Sequence, residues 1–101
     1  MSRLDLHEKL CEILGNRNVY FQPPATVRLK YPCIVYTRSN IEVKHADGMS
    51  YIHANAYTVT FIHPDPDSDI PIQFIEKLPY CSFDRNFNSD ELIHDVFTVF
   101  D

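Results

Sequence analysis

The stretch NIEVKHADGMSYIHANAYTVTFIH, residues 40–63, constrains the fold more than any other part of the chain. Ile41 and Val43 alternate with Glu42 and Lys44, Asp47-Gly48 supplies a turn, and the chain returns through a second alternating run. Alternation of period two puts successive side chains on opposite faces of a strand, and Asp-Gly between two such runs is a strong hairpin signal. On the return, Tyr57, Val59 and Phe61 share one face, while Thr58, Thr60 and Ile62 share the other. The hairpin is long. Its distal half, residues 39–55, is polar and poorly suited to a closed monomer core, so it is expected to reach beyond the body of the domain.

The flanking segments supply what such a hairpin packs on. Residues 2–15 read as a helix, because Leu6, Leu10, Ile13 and Leu14 recur as one apolar stripe. Ser2 and Asp5 resemble a capping box at its start, and Gly15-Asn16 suits the left-handed conformation that ends helices. NVYFQPP is a short strand halted by Pro23 and Pro24, which have no N–H for a ladder. In VRLKYPCIVYTRS, apolar residues occupy both faces from Cys33 to Tyr36, the pattern of a strand buried on two sides. DIPIQFIEKLP predicts a second, short helix with Ile72, Ile75 and Leu78 on one face, Ile70 and Phe74 alongside, and Pro79 as its stop. CSFDRNF then alternates, with Cys81, Phe83, Arg85 and Phe87 on one side and Ser82, Asp84 and Asn86 on the other. ELIHDVFTVF closes the chain as a further strand. The order predicts an α+β domain: a small antiparallel or mixed sheet with a long β-hairpin, flanked by two helices on one face.

Size and composition narrow the function classes. At 101 residues the chain is one domain, spanning 1–101, and an oligomer interface would add useful burial to so small a core. Seven Phe and six Tyr against two Gly and no Trp favour a sheet over a helix bundle. The net charge is −5 and the nine basic residues are scattered, which disfavours direct nucleic-acid binding, since that affinity rests on clustered cations that neutralise phosphates. No apolar run approaches the roughly 18 residues a membrane span needs, and MSRLDLHEKL has no apolar stretch of signal-peptide type. Cys11, Cys33 and Cys81 are widely spaced with no CxxC pair, which argues against structural zinc and for reduced, inert core thiols in a cytosolic setting.

Chemistry is sought first in FIHPDPDSDIP, where His63 precedes Asp65, Asp67 and Asp69 among three prolines, Pro64, Pro66 and Pro71. Alternate aspartates resemble the opening of a calcium loop, but the glycine such a loop needs at its sixth position is Ile70 here. A turn that ends one strand and caps the next helix needs fewer assumptions: Ser68 or Asp69 is the cap, and the extra carboxylates favour the positive helix end. His45 and His53 are placed to meet across the hairpin as a metal pair, although a solvated role is the commoner one. His94 and Asp95 make no dyad, because adjacent strand residues point to opposite faces, whereas Asp84 and Asp95 are candidates to meet across the terminal strands. GxSxG, P-loop and GxGxxG motifs are all absent. No catalytic residue, metal ligand or cofactor site is therefore assigned; a metal-dependent hydrolase built on the aspartates and histidines is the distant alternative. Arg85, placed by alternation among Cys81, Phe83 and Phe87, is expected to pair with a carboxylate in the chain or across a subunit boundary.

The segments YPCIVYTR, ADGMSYIHANAYTVTFIHPDPDSDIP and LPYCSFDRNFNSDELIHDVFTVF together resemble the tail-terminator, or tail-completion, family of long-tailed bacteriophages over nearly the whole chain. The resemblance implies a structural virion protein without catalytic activity, assembled in the host cytoplasm and located at the neck of the particle. It implies a homo-oligomeric ring, hexameric in that family, that caps the tail tube, ends its polymerisation and offers a surface to the head. The implied partners are further copies of the chain, the major tail tube protein and the head connector or completion protein. Another neck ring, such as a head-completion or stopper protein, or a minor capsid component, is the alternative within that class. On this reading Arg38, Glu42, Lys44, His45 and Tyr51 of the hairpin arm, together with Arg85, meet a neighbouring subunit or the tube. Asp65, Asp67 and Asp69 then steer docking to a basic surface.

Overall fold

A computed structural model describes residues 3–46, 50–78 and 80–100, and of 40–54 the backbone alone. The order is α1 (Arg3–Leu14), β1 (Val19–Phe21), β2 (Cys33–Ala46), β3 (Ser50–His63), α2 (Ile70–Lys77), β4 (Cys81–Ser89) and β5 (Leu92–Phe100). The strands form one sheet in the order β1-β2-β3-β5-β4. Neighbours are antiparallel except β1 and β2, which run parallel with Val19 opposite Ile34. This is the mixed α+β sheet with two helices that the hydrophobic patterns predict.

Both helices cover one face. Ile34 and Tyr36 of β2, Tyr57, Val59 and Phe61 of β3, and Phe97 and Val99 of β5 point to the same side by register and alternation. They pack with Leu6, Leu10, Cys11, Ile13 and Leu14 of α1 and with Phe74 and Leu78 at α2 as one buried cluster. Gly15, with φ +83°, takes the left-handed turn that ends α1, and its N–H bonds Cys11 O at 2.9 Å. A polar pin fixes α1 to the sheet: the buried Tyr36 hydroxyl meets His7 Nδ1 at 2.8 Å and accepts from Arg3 at 3.1 Å. Arg3 also lies 4.5 Å over the Phe21 ring.

The opposite face is partly covered as well. Cys33, Ile62 and Val96 are buried there, outside the main cluster. The parallel step from β1 to β2 requires residues 22–32 to cross over, and Lys30 N–H donates to the hydroxyl of Tyr20, whose side chain shares the face of Val35. The crossing chain thus lies on the side away from the helices.

Two local patterns differ from the sequence reading. Helix α2 docks along Ile70, Phe74 and Leu78, while Ile72 and Ile75 are exposed. At about 100° per residue, positions 72 and 75 lie roughly 160° and 100° around the helix from Phe74, too far to share its contact. Strand β4 carries a bulge: Phe83 pairs with Phe97, yet Arg85 pairs with Val96, leaving Asp84 as the extra residue. The bulge reverses the alternation that follows. Cys81 and Phe83 face the helices, whereas Arg85 and Phe87 turn to the other side and Asn86 and Asn88 turn inward. Arg85 consequently sits exposed, its guanidinium 5.7 Å from the Phe87 ring, and the carboxylate partner expected for a charge on an apolar face is not required.

Candidate functional site

The sheet brings together two polar residues that lie 32 positions apart in the chain. His63 ends β3 on the face of Val59 and Phe61, and Asp95 lies on β5 on the face of Phe97 and Val99. Both are therefore carried to the helix side and buried, 3% and 6% exposed. His63 Nε2 lies 2.7 Å from Asp95 Oδ2, and Asp95 Oδ1 accepts from Asn86 Nδ2 at 3.1 Å. The Phe61 ring stacks on the imidazole at 4.1 Å between centroids, which fixes the plane of the ring. A carboxylate at Nε2 selects the tautomer with hydrogen on Nε2, so the neutral ring presents Nδ1 as an acceptor. That Nδ1 has no hydrogen-bond partner and is the one such buried side-chain atom among the described residues.

Beside this pair is an open cleft of about 320 Å³ lined by His63, Pro66, Ser68, Pro71, Asn86, Asn88, Ile93 and Asp95. One wall is the acidic turn. Asp65 Oδ1 accepts from the N–H of Asp67 at 2.9 Å, Asp65 O accepts from Ser68 N–H at 3.2 Å, and Ser68 Oγ accepts from Ile70 N–H at 3.3 Å. Asp69 is the residue before α2, without a side-chain cap bond, and Pro71 falls in the first turn. Ser68 thus supplies the local cap. Asp65, Asp67 and Asp69 are exposed, and no cluster of three or more His, Cys, Asp or Glu with metal-binding geometry occurs among the described residues.

The other candidate groups are dispersed. Asp84 does not meet Asp95: the bulge sends it to the opposite side, where its carboxylate accepts from Thr98 Oγ1. His94 stacks on Phe87 at 4.7 Å, also on that side. Burial pushes the Cys33 and Cys81 thiols up to about 11, so neither is a thiolate at neutral pH. In the arm, the backbone register sets His45 opposite Tyr51 and His53 opposite Val43, so the two histidines are not direct partners. The side chains of Glu42, Lys44, His45 and Tyr51 lie outside the described residues. Arg38, at a second register shift, is exposed with its guanidinium 5.9 Å from the Tyr57 ring.

The His63–Asp95 pair was missed in the sequence, although its signal was present. Counting by twos from Val59 and back from Val99 places both residues on the apolar face, where two polar groups of opposite tendency must find each other. Compared with protein-family models, curated proteins and solved structures, the chain matches none of them.

Proposed function

We propose that this chain is a structural protein of a long-tailed phage particle, closing as a ring on the head-proximal end of the tail tube. Following the family it resembles, the ring is hexameric, ends tube polymerisation and presents the surface for head–tail joining. Its partners are its own copies, the tail tube protein and the head connector. The work is done by contact surfaces, and no bond is made or broken.

One observation carries this reading: the hairpin outgrows the sheet. Strand β5 accompanies β3 only as far as Ala56, opposite Phe100, and β1 accompanies β2 only from Ile34 to Tyr36. From Ile41 opposite Asn55 to Ala46 opposite Ser50 the backbone is a two-stranded ribbon, with no third strand among the described residues. That is about 20 Å of ladder at 3.3–3.4 Å per residue, on a molecule 50 Å in its longest dimension. A lone two-stranded ribbon is marginal in water and leaves both edges unpaired, so a neighbouring surface is its natural complement. Exposed Tyr80 and Phe83 at β4 and Ile72 on α2 add apolar area suited to a head-to-tail contact that closes.

The test is electron microscopy of particles assembled without this protein. Overlong tails are expected. Tails of finished length beside separate heads would instead assign a joining ring, and normal joined particles would contradict the reading altogether.

A further inference from the structure

The geometry points to strand addition as the contact between copies: the outer edge of β2 in the arm, residues 41–46, pairs antiparallel with the free edge of β4 in the next copy. This rests on the ring reading and names the two surfaces that close it.

The first support is a pair of open edges whose backbone groups match. Strand β4 ends the strand order and is exposed over residues 82–89. Beyond Tyr36, β2 has no strand on its outer side among the described residues. Phe100 N–H bonds Tyr80 O, and bonded and non-bonded pairs alternate along an antiparallel ladder. Cys81 and Phe83 therefore turn their N–H and C=O away from β5, toward the free edge. On β2, Ile34 N–H, Tyr36 C=O and Arg38 N–H point outward, and the extra residue at Ser39 passes that role to Ile41 and Val43. Unpaired groups of this kind are a template for another strand.

The second support is chemical complementarity in that register. With Val43 opposite Phe83, Glu42 falls opposite Arg85, because Asp84 is the extra residue of the β4 bulge. Alternation and register place positions 41 and 43 on the helix side of the sheet and positions 42 and 44 on the other. Arg85 and Asp84 lie on that other side, and Arg85 pairs with no carboxylate among the described residues. Glu42 thus meets Arg85 and Lys44 comes beside Asp84, while Ile41 and Val43 come to the apolar side. There Pro71 of α2 shares a cleft with Asn86 and Asn88 of β4, and Ile75 follows one turn along the same flank. Ile75 and Phe83 are both exposed, and a strand edge beside a helix is a surface that extended chains add to.

The third support is direction. Strands β2, β3, β5 and β4 alternate in direction across the sheet, so a β2 laid antiparallel to β4 repeats the same direction in every copy. The helix face also stays on one side. That is the head-to-tail relation a closed ring requires.

The test is charge reversal in the whole chain, with ring closure on tail tubes read by light scattering. Glu42→Arg and Arg85→Glu should each unfold thermally as the parent does, and each should raise the concentration needed for closure about tenfold or more. The double variant should close as the parent does. An equal mixture of the two single variants should close too, since alternating copies restore opposite charges at every contact of an even-membered ring. Single variants that close like the parent, or losses that neither the double variant nor the mixture restores, would overturn this pairing while leaving the ring reading in place. A parent that forms no ring on tubes would overturn both.

Discussion

The two halves of one hairpin live in different surroundings. The proximal half, Cys33–Arg38 with Tyr57–His63, lies inside the sheet under both helices, with Ile34, Tyr36, Tyr57, Val59 and Phe61 all buried. The distal half, from Ile41 with Asn55 to Ala46 with Ser50, has the same ladder and, among the described residues, neither a third strand nor a helix beside it. Hydrogen-bonded pairing is common to both, so pairing does not explain the difference. Packing does: one half is covered by helices and further strands of its own chain, and on the other none is found among the described residues. The contrast separates residues whose loss is expected to unfold the domain from residues whose loss is expected to leave it folded.

The largest effect is expected in the proximal half. Phe61, 1% exposed and 6.1 Å edge-on from Phe74, should cost about 3–5 kcal/mol on truncation in Phe61→Ala, read by denaturant unfolding. Asp95→Ala comes next, at about 1–3 kcal/mol, because it leaves the buried N–H of His63 without its acceptor. Tyr36→Phe keeps the ring and removes the hydroxyl shared by His7 and Arg3, for about 1 kcal/mol. A comparable loss from substitutions confined to residues 41–46 would break the contrast between the halves.

The smallest effect is a pH dependence at the pin. Burial, helped by Arg3 and Arg17, holds the His7 pKa below the ordinary imidazole value near 6.5. The folded protein therefore takes up the proton less readily than the unfolded chain. The resulting stability is complete above about pH 6.5 and is lost as pH falls from there toward the lower folded value. His7→Gln should flatten that part of a stability–pH curve measured by thermal unfolding, and an unchanged slope would show that other groups carry it.

The same contrast explains what could be read in the sequence. Elements whose periodicity is uninterrupted were legible: the stripe of α1, the Asp-Gly hairpin, and the alternation of β3 and β5. The arm's reach was legible too, because polar residues replace apolar ones where the third strand ends. The face of Arg85 was not, since one extra residue at Asp84 inverts the alternation and no local residue type announces the bulge. The face of α2 was also obscured, because a helix of eight residues with four apolar positions (Ile70, Ile72, Phe74 and Ile75) admits more than one stripe. The cleft escaped notice because it is non-local. His63 belongs to the acidic turn by sequence and to Asp95 only by register, and the parity argument that joins them requires knowing that β3 and β5 are neighbours.

The most direct measurement deletes residues 41–52, leaving residues 53–55 to turn the shortened hairpin. The product is compared with the whole chain by thermal unfolding and by light scattering in the presence of tail tubes. The shortened chain should unfold within about 1 kcal/mol of the parent, because among the described residues the backbone of the removed ribbon pairs only with the other strand of the hairpin. It should also fail to close rings or cap tubes. A shortened chain that still assembles and caps as the parent does would contradict the role of the arm.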